Sequence, residues 1–180
     1  MNDKQIAALF MSELLPRMQA QPGLAAVALA RKYQPRQHGA NTGPIVYFFK
    51  VGDHNHGSPQ REDLYNEAGV IFDQTQRQLV ETTYQLAAWV PQNPADVAAL
   101  TESDVLNIVS AIMQSDAILA AFRGAGVGIQ RVTDIRNPYF VDERDRFEAE
   151  PSFDIVLTHY RNLSSTLPAV DTFEANIHRV

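Results

Sequence analysis

The chain has no cysteine. Disulfide scaffolds, thiolate zinc sites and cysteine nucleophiles are therefore excluded, and the absence fits a reducing compartment. No apolar run approaches the ~18 residues that cross a bilayer as a helix. The N-terminal stretch MNDKQIAALFMSELLP carries Asp3 and Glu13 and makes a poor secretory signal. There is no internal repeat, no low-complexity tract and no heptad pattern. Lys and Arg number 15 against 21 Asp and Glu, a net charge of −6. The basic residues are scattered, and no cluster of them interleaved with aromatics marks a nucleic-acid surface.

What is present is ordinary for a globular protein: 45% hydrophobic and 20% charged residues. A chain of 180 residues is most simply one domain, 1–180, large enough to bury a core without staples. Ile6, Leu9, Phe10 and Leu14 stand three and four apart and predict a helix capped by Asn2 or Asp3 and ended or kinked by Pro16. Leu24 to Leu29 reads as a short buried strand. Ile45, Tyr47, Phe49 and Val51 alternate with their neighbours as a strand. Residues 52–69, GDHNHGSPQREDLYNEAG, read as a polar loop or hairpin excursion, a kind of segment that often carries binding. Val80, Thr82, Tyr84, Leu86 and Ala88 form one face of a long strand within 70–89, and its polar opposite face meets water or a partner.

Thr101 and Asp104 form a capping-box pattern before the stripe Val105, Ile108, Val109, Ile112 and Met113. Ser115 starts a second short helix that stops at Gly124. Three strands are predicted after it, around 127–135, 153–158 and 173–178, with a short polar, Ser/Thr/Pro turn region between the last two. The expected class is α+β: a mixed, mostly antiparallel sheet packed against two main helices.

Few residue groups point to chemistry. Asp53, His54 and His56 fall within four residues and resemble part of a divalent-metal site. They fall in an expected loop with no third ligand evident, so a solvated tip is the better reading. Gly124 to Gly128 follows a helix and precedes a strand, the reverse of a phosphate-binding loop. Asp142, Glu143, Arg144, Asp145 and Arg146 form a mixed-charge strip. Such strips fix register and partner choice at an interface more often than they do acid–base work. Ser164 and Ser165 lack the setting of a catalytic serine. No cofactor or metal is implied.

The layout itself is more telling than any single group. A run RFEAEPSFDIVLTHYRN, a short Ser/Thr/Pro stretch and a closing EANIHRV follow a helix, the strand GPIVYFFKV, a variable polar stretch, the strand QTQRQLVETTYQLAAWVP, a second helix and GVGIQRVTDIR. This succession resembles the tail-terminator proteins of the phage neck in long-tailed bacteriophages and prophages. The resemblance implies a non-enzymatic virion protein at the head-proximal end of the tail, made in the host cytoplasm. It implies a homo-oligomeric ring of about six copies that caps the tail tube, ends its polymerisation and joins the neck connector. It also implies contact with sheath protein if the tail contracts, and genome DNA passing through the lumen without sequence-specific binding. The expected contacts with neighbours fall on Asp53, His54, His56, Arg61, Glu62, Asp63 and the strip Asp142 to Arg146. Alternatives are another neck component, such as a connector-side adaptor or tail completion protein, or a small metal-binding protein using Asp53, His54 and His56.

Overall fold

Asn2 opens the first helix as predicted: its side chain accepts from Gln5 N, and Gln5 Oε1 accepts from Asn2 N at 2.8 Å. The computed structural model describes residues 1–31, 43–91, 96, 98–141, 147–149 and 151–169. The helical stretch that starts with α1 (Asp3–Leu9) does not end at Pro16. It runs through a π-helical turn, Phe10–Leu14, into α2 (Leu15–Gln19), which holds Pro16 in its first turn. The reason lies in the spacing of the buried stripe Ile6, Phe10, Leu14 and Met18, all fully buried. Four-residue steps drift about 40° each on an α-helix of 3.6 residues per turn. A wider π turn realigns them, and it falls where Pro16 lacks the N–H that Ser12 O would have accepted.

Helix α3 (Glu102–Met113) carries the predicted box, with Asp104 N donating to Thr101 Oγ1 and Thr101 N donating to Asp104 Oδ2. Helix α4 (Asp116–Gly124) follows at once. Ser115 precedes it without a side-chain cap bond and donates its hydroxyl back to Ile112 O at 2.6 Å instead.

The main sheet holds β1 (Ala28–Arg31), β2 (Ile45–Asn66), β3 (Ile71–Trp89), β4 (Val127–Val132) and β7 (Ser152–Pro168), in the order β1-β2-β3-β7-β4. Only β1 and β2 are parallel. Strands β5 (Tyr139–Val141) and β6 (Phe147–Ala149) form a separate small ladder. The class is α+β, with a mixed, mostly antiparallel sheet. Helices cover the face bearing Phe48, Tyr84, Leu86 and Phe153, all fully buried. Phe10 is the hub, its ring 5.0 Å from Phe48, 5.4 Å from Tyr84 and 5.6 Å from Phe122.

Several expectations are corrected. The early strand is Ala28–Arg31, and buried Leu24 and Val27 sit in the turns before it. The strand after α4 stops at Val132, short of Ile135. Of the loop or hairpin excursion expected at 52–69, the hairpin is what forms: residues 52–66 are no loop but the second half of β2, and the turn is only Glu67 to Val70. Residues 161–166 are not a turn either: they pair with Gln78 to Asp73 on β3. The expected strand around 173–178 lies outside the described residues. The outer parts of β2, β3 and β7 therefore form a three-stranded arm. Its nine β3 residues, 71–79, extend about 30 Å at ~3.3 Å each beyond the helix-covered half.

Candidate interaction surface

The arm joins the body through a polar cluster that β2 builds by slipping its register. Between Lys50 and Gly52 the pairing with β3 shifts by one, so Lys50 lies opposite Tyr84 and Asp53 opposite Thr82. The bulge puts both charged residues on the helix-covered side, where period-two alternation would have separated them. Lys50 Nζ donates to Asp3 Oδ1 at 2.9 Å and to Asp53 Oδ2 at 2.7 Å. Arg161 donates to the same Asp53 oxygen at 3.0 Å, and Thr82 donates to Asp53 Oδ1 at 2.7 Å. Thr82 has given away its only proton, so the 3.1 Å contact with His159 must be His159 Nε2–H donating to the hydroxyl oxygen. Four elements, α1, β2, β3 and β7, are thus tied together around one carboxylate.

These bonds set the charge states. Partial burial pushes the Asp53 carboxyl up, but hydrogen bonds from Lys50, Thr82 and Arg161 outweigh it and bring its pKa down to about 2. Burial pushes the Lys50 ammonium down, and its bonds to Asp53 and Asp3 more than reverse that. Burial pushes the His159 imidazole below its ordinary value, against an opposing backbone bond at Tyr160; the side chain is 2% exposed. At neutral pH the cluster holds Asp53 ionised and His159 neutral.

The other residues singled out from sequence divide between the faces. The register places Asp53, Arg61 and Asp63 on the helix side of the sheet and His54, His56 and Glu62 on the opposite side. His54 and His56 are therefore strand residues, not loop residues, and Glu81 stands opposite His54. Glu81 pairs with His56 Nε2 at 2.5 Å, and the two imidazoles meet edge to face at 4.9 Å. Among the described residues no group of three His, Asp or Glu is arranged to hold a metal ion. Asp63 accepts from Gln74 at 3.0 Å across the hairpin. Asp142, Glu143, Arg144, Asp145 and Arg146 lie outside the described residues.

Sequence reading missed the apolar part of the arm. Ten large hydrophobic side chains are exposed among the described residues, and eight belong to the arm or its ends: Val51, Leu64, Tyr65, Val70, Phe72, Tyr160, Leu163 and Leu167. Tyr65, Phe72 and Leu167 form a row across all three strands on the helix side, with the Tyr65 and Phe72 rings 5.3 Å apart. Arg77 lies 3.6 Å over the Tyr160 ring on the opposite side. An exposed apolar concentration of this kind marks a surface meant to be covered. The available signal was the spacing of Leu163 and Leu167, which the intervening serines and threonine disguised as a turn.

No curated protein matches the chain. Among solved structures, the chain is similar to the sheath/tube terminator, in its extended state, of the extracellular contractile injection system PVC. The identity is 12% and the TM-score 0.47, over 100% of this chain and 64% of that one. A family model described as E217 gateway protein gp29 matches residues 5–169. The chain therefore belongs to the family of the E217 gateway protein gp29.

Proposed function

We propose that this protein is a ring subunit at the head-proximal end of a phage tail. About six copies close by one repeated heterologous interface. The ring caps the tail tube, ends its polymerisation and joins the tail to the neck connector, with sheath protein as a further neighbour where the tail contracts. Residues 1–180 act as one domain, and the arm is the excursion that reaches a neighbour. Asp53, His54, His56, Arg61, Glu62 and Asp63 contribute to contacts with adjacent subunits, as does the strip Asp142 to Arg146. Genome DNA passes through the lumen unread, since a net charge of −6 repels rather than holds it. No catalysis is assigned.

The observation that carries this reading is the family match across residues 5–169. The exposed apolar arm supports it physically, because a monomer gains nothing from displaying Leu64 and Leu163 at 62% and 63% exposure. The test is a phage lacking this protein. Tails of uncontrolled length that fail to join heads are expected; normal tails on normal heads would end the proposal. Microscopy of the particle separates the neighbouring role, because a twelvefold ring beneath the portal would make the protein a connector-side adaptor instead.

A further inference from the structure

The arm has two outer edges, and they are built differently. The β2 edge is defended. Its register with β3 breaks at Lys50/Gly52 and again between His56 and Gln60, around Pro59 and a Gly57 at φ 62°. Asp53, Arg61, Glu62 and Asp63 lie along it, and the Gln78 amide donates to His56 O at 2.6 Å and Gly57 O at 3.2 Å. Bulges, proline and charge are the means by which proteins stop a further strand from adding. The β7 edge has neither bulge nor proline over Tyr160–Leu167. Strand β7 keeps one unbroken register with β3 from Ser152 to Pro168, and Arg161 is the one charge in its outer part. On the other side β4 covers it only from Ile155 to His159.

The direction of the free backbone groups follows from the ladder. Ala169 N donates to Val70 O at 3.2 Å, toward β3, whereas Ser152 and Asp154 exchange bonds with Arg136 and Thr133 on the far side. In an antiparallel strand the N–H and C=O of one residue point the same way, and successive residues alternate. Residues 161, 163, 165 and 167 therefore bond β3, and residues 160, 162, 164 and 166 point outward. Tyr160 O is taken by the Met1 amine. Asn162, Ser164 and Thr166 present a row of outward N–H and C=O groups that no described strand pairs. Pro168, lacking an N–H, stands at an outward position where it costs β3 nothing. Beside this row, on the helix side, are the exposed Leu163 and Leu167.

Such an edge takes an extended segment with apolar residues at every second position, so that they continue the row of Leu167, Phe72 and Tyr65. The chain carries one. Beyond the described residues the sequence 170–180 alternates Phe173, Ala175 and Ile177 with Glu174, Asn176 and His178. It departs from Ala169, which is bonded to the hairpin turn at the far tip of the arm. Its length, 11 residues, reaches roughly 35 Å, enough for the ~30 Å edge from Tyr160 to Pro168.

We propose that the outer edge of β7, Asn162 to Thr166, is a strand-addition site filled by segment 170–180 of a neighbouring copy of this chain. The inference rests on the ring reading. Each subunit then gives one segment and receives one, so every free edge is used once when the ring closes. The apolar residues of the incoming segment cover Leu163 and Leu167, and its polar residues lie over Ser164 and Thr166.

The chain has no native cysteine, so introduced thiols report cleanly. Ser164→Cys is combined in one chain with Glu174→Cys or Asn176→Cys, and assembled rings are oxidised and run under denaturing, non-reducing conditions. A ladder of linked subunits is expected. A bond formed only within single chains overturns exchange between neighbours while the ring stands. Rings that form with no bond at all, in both cysteine pairs, also overturn it. If the unmodified protein forms no ring, the ring reading falls first and this inference with it. Ser164→Pro is the second variant, because it deletes an outward N–H and leaves the β3 ladder whole. The monomer should keep its circular dichroism, and ring association should weaken roughly tenfold, the weight of one lost hydrogen bond. Ser164→Ala, which keeps the N–H, should assemble normally; unchanged assembly of Ser164→Pro overturns the site.

Discussion

The same three strands, β2, β3 and β7, behave as two different structures along their length. Their inner halves lie under the helices, and every second side chain is buried: Val80, Thr82, Tyr84 and Leu86 on β3 are all fully covered. Their outer halves keep the same pairing with no helical cover among the described residues, and Leu64, Tyr65 and Leu163 are more than half exposed. Backbone pairing is thus not what distinguishes body from arm. The inner half draws its stability from packing. The outer half is held by cross-strand pairs, such as Tyr65 on Phe72 and Gln74 on Asp63, each contributing roughly 0.2–1 kcal/mol. An isolated ribbon on those terms is marginal, so the arm depends on its root at one end and, in the reading offered here, on a neighbour along its edge.

The largest break in this comparison comes from one residue in each half. Phe10→Ala removes the ring that joins Phe48, Tyr84 and Phe122, and should cost about 3–5 kcal/mol. That lowers the melting temperature by roughly 6–20 °C for a chain of this size. Leu163→Ser takes away a side chain that is 63% exposed and should move stability by less than about 0.5 kcal/mol. Its effect should appear in ring assembly instead. Thermal melts beside sedimentation of the assembled ring separate the two. Equal losses of stability in both variants would mean that the arm is part of the core after all.

How much of this was legible in the residues depends on how local each cause is. Helix ends were readable, because the Thr101–Asp104 box and the cap at Asn2 act within four residues. The inner strands were readable, because one buried face imposes alternation on residues such as Tyr84 and Leu86. The arm was not, because no described residue covers either of its faces. With neither face committed to a core, polar residues such as Asp63, Gln74 and Ser165 occupy strand positions and look like a loop. Nor could the sequence show that Asp53 crosses to the helix side, which depends on a single bulge at Gly52. The π turn left a trace that could have been read: four-residue spacing from Ile6 to Met18 does not suit a long α-helix.

A smaller and more specific test is aimed at the root between the two halves. Asp53 holds a pKa of about 2, below its ordinary 3.8. Its contribution is complete above pH ~4 and is lost as pH falls toward 2, because the unfolded chain takes up the proton first. His159 also has a lowered pKa, so it too destabilises the fold in acid. The unfolded imidazole protonates below its ordinary 6.5 while the buried one resists, and stability declines from that pH downward. Denaturant melts should therefore show a shallow loss below pH 6.5 and a steeper one below pH 4. Asp53→Asn should remove its share of the steeper loss and cost roughly 1–3 kcal/mol at neutral pH. Hydrogen exchange should rise first in residues 160–168, where Arg161 loses its anchor. Faster exchange spread evenly through the body would show that Asp53 supports the whole sheet and not the arm's direction.

The smallest expected effect is at the two histidines, and it decides what kind of surface the arm offers. His56 pairs with Glu81 on a face where the imidazole is 43% exposed, so the pair is worth about 0–1 kcal/mol. His54 adds an edge-to-face contact with His56. Replacing both by alanine should leave the melting temperature within about 3 °C of the parent, and added Zn²⁺ or Ni²⁺ should shift neither protein. A metal-dependent rise in the parent that the double variant loses would show that His54, His56 and Glu81 rearrange to hold a metal on the strand pair. The opposite face of the arm would then be metal-bearing, and only the helix-side face, with Leu163 and Leu167, would remain a plain contact surface. With no such shift, both faces are contact surfaces, and what separates arm from body is the lack of a partner among the described residues.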